Sequence, residues 1–151
     1  MAYGLILWFR SMTVQVATQT LTVIVLDRDL PKGLAANVAA VLSVTLGAQQ
    51  PALVGADFTD ASGDDHVGLF PAGLPVLGAA AAELAAIRAA ARERELFVAG
   101  MPSFAHQTND YGEFRESVAA TQSDELVYLG ILVSGDKKLV RAITGQLGLL
   151  R

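Results

Sequence analysis

The 151-residue sequence contains no cysteine and few charged side chains. The absence of cysteine excludes disulfides, thiolate metal sites and a cysteine nucleophile, and it is consistent with a reducing cytoplasm, which is the predicted location. Charged residues make up 17% and the net charge is −4, so a broad surface for the phosphate backbone, and hence a nucleic acid partner, is not expected. Apolar residues make up 52%, which is enough for the hydrophobic core of one domain.

A long hydrophobic run is also missing. The apolar stretch from Tyr3 to Phe9 is seven residues long, with no basic segment before it and no small-residue cleavage site after it. It is too short to span a bilayer and weak as a signal peptide, so no membrane partner is expected. Residues 1–14 are interpreted as a leader that is either disordered or wrongly started. In the second case residues 1–11 come from an upstream start codon, since Met12 begins a more ordinary leader. The alternative is an edge segment that docks on the body.

The most informative segment combines a strand, a turn and a helix. Thr20 to Leu26 contains an unbroken apolar run, which is typical of a strand in a sheet buried on both faces. Pro31 suits the first turn of the helix that follows, and the helical period continues to Gly47, a natural C-cap. Such a unit directs the backbone N–H groups of the helix N-terminus at whatever lies beyond the strand.

Strands and helices alternate through the rest of the chain, apart from a long loop or loosely formed strand at residues 48–73. We therefore predict a single α/β domain over residues 15–151, with three layers in which helices cover both faces of a roughly four-stranded mixed sheet. The remaining predicted elements are strands at 74–77, 96–101 and 126–134 and helices at 79–94, 110–121 and 137–147. Asp110 and Glu113 are expected to form a capping box at the start of the second of these helices.

Two segments resemble the peptidyl-tRNA hydrolase II family. They are VIVLDRDLPKGLAANVAA near the start and YLGILVSGDKKLVRAITGQLGLL near the end. The segment DLPKGLAANVAA, the turn at residues 60–63, Pro75-Val76-Leu77 and the closing Thr-Gly element resemble more closely the bacterial family called domain of unknown function 2000. That family is similar in fold to the hydrolases and has no established activity, so the resemblance implies a peptidyl-tRNA hydrolase II-like fold.

The departures from the hydrolase pattern concern its catalytic lysine. The hydrolases place a lysine directly after the helix-opening glycine, whereas here Gly33 is followed by Leu34. Lys32 precedes the glycine, and an offset of two residues rotates a helical side chain by about 200°. The position of the family's glutamine is occupied by Asn37. The resemblance thus implies that the hydrolase apparatus is largely absent, and it favours binding over catalysis.

A binding site is predicted where the first strand meets the first helix. Arg28, Asp29 and Lys32 stand at the carboxyl end of the strand, where α/β sheets bind ligands, and Asn37 lies one turn further along. They are expected to hold a small polar or anionic ligand. The plainer alternative is that Asp29 caps the helix and pairs with Arg28, while Asn37 bonds to a neighbouring backbone.

Polar residues after the third strand are expected to face this corner. His106, Asn109 and Tyr111 are the candidates. A Ser/His/Asp set built from Ser103, His106 and Asp29 lacks the Gly-x-Ser-x-Gly elbow and is disfavoured, and a surface loop histidine is the default interpretation of His106.

The loop at residues 57–66 is acidic and includes one histidine. It lacks the Asp-x-Asp-x-Asp-Gly pattern of a calcium loop, so an ordinary solvated turn is favoured over a metal site, and no metal or cofactor is predicted. The residues concerned are Asp57, Asp60, Asp64, Asp65 and His66.

Three functions stay open at this point. The first is a non-hydrolase relative that binds a small polar or anionic ligand. The second is a hydrolase of peptidyl-tRNA that uses Lys32. The third is a structural or partner-binding homodimer, suggested by the small, flat, alanine-rich helix faces.

Overall fold

The computed structural model describes residues 19–151; the predicted leader at residues 1–14 lies outside this range. The described part contains six strands, four α-helices and two short 3₁₀ turns. In chain order they are β1 (Thr20–Asp27), α1 (Lys32–Gln49), a turn at Pro51–Leu53, β2 (Phe58–Thr59), β3 (Asp65–His66), β4 (Val76–Ala79), α2 (Ala81–Glu93), β5 (Phe97–Pro102), a turn at Ser103–His106, α3 (Tyr111–Ala119), β6 (Tyr128–Asp136) and α4 (Lys137–Thr144).

The main sheet has four strands in the order β4-β1-β6-β5. Strand β1 runs parallel to β4 and antiparallel to β6, and β5 runs antiparallel to β6. The predicted α/β fold with a four-stranded mixed sheet is therefore confirmed.

Strand β1 is buried on both faces, as its unbroken apolar run predicts. Val23 and Val25 belong to a hydrophobic cluster shared with α2 and α4. Ile24 and Leu26 belong to a second cluster shared with α1. Because successive side chains of a strand point to opposite faces, the two clusters lie on opposite sides of the sheet.

Helix α1 is longer than predicted. It continues through Gly47 to Gln49, so the predicted C-cap at Gly47 is wrong. Pro51 explains the true end, because a residue before proline is driven out of the α conformation, and Gln50 has φ −134° and ψ 64°.

Helix α4 is shorter than predicted and ends at Thr144 rather than Leu147. The segment that follows pairs with the outer edge of β4 instead. The Gly78 N–H donates to the Gly148 carbonyl at 3.0 Å and the Leu150 N–H donates to the Val76 carbonyl at 2.9 Å. These bonds satisfy backbone groups that an edge strand leaves open.

Residues 48–73 contain a small hairpin made of β2 and β3. The Asp60 Oδ1 accepts N–H groups from Ser62 at 2.8 Å and Asp64 at 3.1 Å, and its Oδ2 lies 3.2 Å from His66 Nε2. The bond with His66 is the first cause of a lowered pKa at Asp60, and the backbone bonds add to it. These contacts match the predicted turn, and the described residues hold no group of three His, Cys, Asp or Glu side chains arranged for a metal ion.

None of the helices in residues 19–151 has the length and apolar character needed to cross a membrane.

Candidate functional site

The predicted site residues are divided between two flanks of α1. Lys32 and Asn37 are five residues apart on this helix, which places their side chains about 140° apart around its axis. The buried side chains of Val38 and Leu42 face the sheet between these flanks. Two separate cavities result.

The first flank borders a cavity of about 330 Å³, here called the corner cavity. In the part of the chain that the structure describes, its charged lining residues are Arg28, Lys32 and Arg151, and no acidic residue lines it. The other lining side chains are leucine, alanine or valine. The corner cavity thus combines an aliphatic wall with three exposed cations.

Asp29 lies outside the corner cavity, in an adjoining cavity of about 520 Å³ that also contains Arg28 and Glu83. The Arg28 Nη2 and Glu83 Oε2 atoms are 3.3 Å apart, and the two side chains are 54% and 51% exposed. The alternative in which Asp29 caps α1 and pairs with Arg28 is wrong. Pro31 occupies the N-cap, no side chain caps the helix there, and the Asp29 N–H donates to Asp27 Oδ1 at 3.1 Å.

The second flank borders a cavity of about 410 Å³ between α1, β5 and α3, here called the α1–α3 cavity. Three predicted site residues, Asn37, Asn109 and Tyr111, line it together. Asn37 and Asn109 are exposed, and neither side chain bonds to another residue in the described part of the chain. The alternative in which Asn37 bonds to a neighbouring backbone is therefore wrong.

The wall formed by α3 depends on its N-cap. As predicted, Asp110 caps the helix, since its Oδ1 accepts N–H groups from Gly112 at 2.7 Å and Glu113 at 3.0 Å. The expected reciprocal bond from Glu113 to the cap is wrong, because Glu113 accepts from the Thr108 hydroxyl at 2.7 Å. The Asp110 N–H donates to that same hydroxyl at 3.0 Å. This network fixes the position of Tyr111, whose ring centroid lies 5.5 Å from that of Phe114.

His106 is not part of either cavity. It ends the 3₁₀ turn after β5 and is exposed. Within residues 19–151 its ring has no hydrogen bond to a serine or an aspartate, so Ser103, His106 and Asp29 do not form a triad. Lys32, Asn37 and His106 therefore do not share one concave surface.

Two kinds of lining residue were not predicted from the sequence. Val41 and Thr45 follow Asn37 at helical spacings of four and eight, so a helical wheel would have placed them in the α1–α3 cavity. Arg151 reaches the corner cavity only because residues 148–150 pair with β4. No local signal in the sequence predicts that pairing.

Comparison with known proteins gives a family and a fold. The family model described as "Protein of unknown function (DUF2000)" matches residues 20–151. A solved structure of the protein of unknown function Atu0240 from Agrobacterium tumefaciens strain C58 is similar, with a TM-score of 0.81 and 22% identity over 87% of this chain and 97% of that one. At this identity the likeness concerns the fold alone. No curated protein matches the sequence.

Proposed function

Because this chain belongs to the DUF2000 family, which is described as proteins of unknown function, we propose a function from its own geometry: it binds a small anion with a short apolar body in the corner cavity. We also propose that its layers follow the peptidyl-tRNA hydrolase II arrangement, with helices on both faces of the sheet and without the lysine of those hydrolases.

The charge distribution of the corner cavity carries the proposal. The corner cavity is lined by Arg28, Lys32 and Arg151, and none of its described lining residues is acidic. The net charge of the whole chain is −4. A cluster of cations in a protein of negative net charge favours the binding of an anion, and guanidinium groups bind carboxylate or phosphate in bidentate fashion. The aliphatic wall, which includes Leu26, favours a ligand with apolar atoms behind its charge.

The N-terminus of α1 adds to this preference. The helix has no side-chain cap and no acidic residue in its first turn. The partial positive charge of the helix end is therefore not neutralised by a side chain, and it acts in the same direction as the side chain of Lys32.

The position of Leu34 supports binding over hydrolysis. Leu34 is half-buried and packs against the cluster beneath α1. Lys32 is exposed at the rim instead, about 200° away around the helix. A lysine at the hydrolase position would have to replace a side chain that packs on the core.

The test is a titration monitored by ¹H–¹⁵N NMR with hexyl phosphate, inorganic phosphate and hexanol. We expect hexyl phosphate to bind most tightly, because only it offers both charge and apolar atoms. Lys32→Ala should weaken that binding roughly fivefold to tenfold, the loss of about 1–1.4 kcal/mol for one charge-assisted contact.

Lys138→Ala is the matched control, since Lys138 is exposed on α4 and lines neither cavity. Equal effects of the two substitutions, or equal binding of hexanol and hexyl phosphate, would contradict the proposal. Turnover of peptidyl-tRNA by the wild-type protein, lost in Lys32→Ala, would replace it with the hydrolase alternative.

A second candidate is the homodimer, and one observation favours it. After Lys32, α1 contains no charged residue to its end at Gln49, although about half of its residues are exposed. Val44 is 73% exposed and Val41 43%. An uncharged exposed helix face is typical of a surface that another subunit covers.

Light scattering measures this candidate directly. A dimer that dissociates on Val44→Glu, with an unchanged far-UV spectrum, would support it. A wild-type monomer over the accessible concentration range would exclude it without affecting the ligand proposal.

A further inference from the structure

The α1–α3 cavity has the chemistry of a second, independent binding site. We infer that it binds an uncharged heteroaromatic ring of nucleobase size, with Tyr111 against the ring face and Asn37 and Asn109 at the ring edge. This inference does not depend on the anion site, because different residues line the corner cavity.

The aromatic wall is the first reason. Tyr111 is 74% exposed although it lines a cavity, and it lies beside Phe114 in the first turn of α3. An exposed ring supported by a second ring offers a flat apolar surface with little conformational freedom. Heteroaromatic rings stack on such surfaces.

The two asparagines are the second reason. Asn37 comes from α1 and Asn109 from the loop before α3, so two separate elements bring free amides to the same cavity. Each amide offers a carbonyl acceptor and two N–H donors. An amide can therefore pair with a ring edge that presents a donor next to an acceptor, as asparagine does with adenine.

The charge of the lining is the third reason, and it selects against anions. Among residues 19–151, Asp110 is the only charged lining residue, and no Lys, Arg or His of this range lines the cavity. Asp110 also meets the N-terminus of α3 through its own side chain. A negatively charged ring would therefore face a carboxylate with no compensating cation.

Apart from the hydroxyls of Thr45 and Thr108, the remaining lining side chains are apolar, and the size is suitable. Val41, Leu42, Met101 and Ala105 are among the lining residues. The volume of about 410 Å³ lies within the usual range for small-molecule sites, roughly 300–1,000 Å³. A nucleobase fits with space for a substituent.

The experiment titrates ¹⁵N-labelled full-length protein with adenine, with nicotinamide and with benzoate as an anionic ring of similar size. We expect adenine and nicotinamide to shift the side-chain amide signals of Asn37 and Asn109 and the backbone signal of Gly100. Benzoate should bind more weakly than either. Tyr111→Ala should weaken adenine binding about fivefold or more, while Tyr111→Phe should retain it.

Phe58→Ala is the matched control, because Phe58 is 50% exposed and stacks on His66 in the hairpin, outside the α1–α3 cavity. It should leave adenine binding unchanged. Absence of shifts at Asn37 and Asn109, benzoate binding as tight as that of adenine, or equal effects of Tyr111→Ala and Phe58→Ala would each overturn the inference. The dispersion of the ¹H–¹⁵N spectrum of Tyr111→Ala shows whether the variant is folded, and hexyl phosphate binding measured in parallel separates this result from that of the anion site.

Discussion

The two flanks of α1 differ in chemistry although they belong to one helix. Counting the described residues, the corner cavity is lined by three cations and no acid, whereas the α1–α3 cavity is lined by one carboxylate and no cation. Both share the seam of Val38 and Leu42, which packs the helix on the sheet. A single helix therefore borders two cavities of opposite charge, because a rotation of about 140° separates the side chains on its two flanks.

The difference also explains why a single site at the end of β1 is too simple a picture. The strand end supplies Arg28 and Asp29, but only Arg28 lines the corner cavity. On the other flank, the edge strand β5 and α3 complete the cavity around Asn37. The helix, more than the strand end, organises the candidate sites.

The largest effect on binding is expected at Gly130 of β6, because both flanks of α1 depend on the packing of the helix against this strand. A Cβ added at Gly130 of β6 would lie 2.5 Å from Leu26 Cδ2 and 2.8 Å from Val38 Cγ1. Gly130→Ala should therefore lift α1 and lower the free energy of unfolding by about 1–3 kcal/mol. It should weaken binding of hexyl phosphate and of adenine together.

Gly47→Ala is the control on α1 itself, because nothing lies within 4 Å of the added Cβ. It should raise the free energy of unfolding by up to about 1 kcal/mol, since alanine favours a helix interior over glycine. Chemical denaturation measures both variants. If Gly130→Ala abolished only one of the two binding activities, the shared support of the flanks would be wrong.

Asn37→Lys should shift the ligand preference of the α1–α3 cavity from an uncharged ring toward an anionic one. The substitution adds a cation to the α1–α3 cavity and removes one of its two free amides. Benzoate should bind more tightly and adenine about fivefold more weakly, a change of about 1 kcal/mol. Binding of hexyl phosphate at the corner cavity should not change, which NMR titration of the same sample tests.

A smaller effect is expected from Glu83→Gln. Glu83 pairs with Arg28 at 3.3 Å, and its carboxylate also accepts the Ala80 N–H at 2.7 Å, a bond that glutamine can keep. Without the competing charge, Arg28 should bind hexyl phosphate about twofold more tightly. Stability should change by less than about 0.5 kcal/mol, since the pair is exposed. Glu116→Gln, an exposed site on α3, should leave the affinity unaltered.

The smallest effect is expected on the local stability of the β2–β3 hairpin. Because this hairpin lies outside both cavities, it shows how a change away from the candidate sites behaves. The pKa of Asp60 is lowered from 3.8, first by its bond with His66. Its ionised form therefore stabilises the hairpin above that value, and the contribution is lost as the pH falls through the lower pKa of the folded state. The protection factors of the Ser62 and Asp64 amides against hydrogen exchange, which correct for the pH dependence of intrinsic exchange, should fall over that acidic range in the wild type.

In Asp60→Asn the same amides should exchange faster already at neutral pH, with no further change from this residue on acidification. Identical exchange profiles for the wild type and the variant would show that the carboxylate does not hold the turn.

Local patterns in the sequence predicted most of the fold. The apolar run of β1 indicated burial on both faces, and Asp110 before Tyr111 indicated the cap of α3, because burial and capping depend on neighbouring residues. The end of α4 and the position of Arg151 were not predictable, since they depend on pairing with β4, which is distant in sequence.

The sequence predicted which residues line the α1–α3 cavity only in part. The sequence placed Asn109 and Tyr111 opposite Asn37, and the structure brings these three residues together. The sequence also predicted that Lys32 lies beside them, because all four residues were expected at the junction of the first strand and the first helix. Angular position around α1 separates them, and a helical wheel would have shown it.

The pairing of residues 148–150 with β4 has a consequence for how the corner cavity forms. Arg28 and Lys32 come early in the chain and Arg151 comes last, so the three cations meet only after a loop of nearly the whole domain has closed. Contacts of such long sequence separation form late, because the entropy of loop closure has to be overcome first. A partly folded intermediate would therefore lack the proposed anion site, and the appearance of hexyl phosphate binding during refolding would report that the domain has folded.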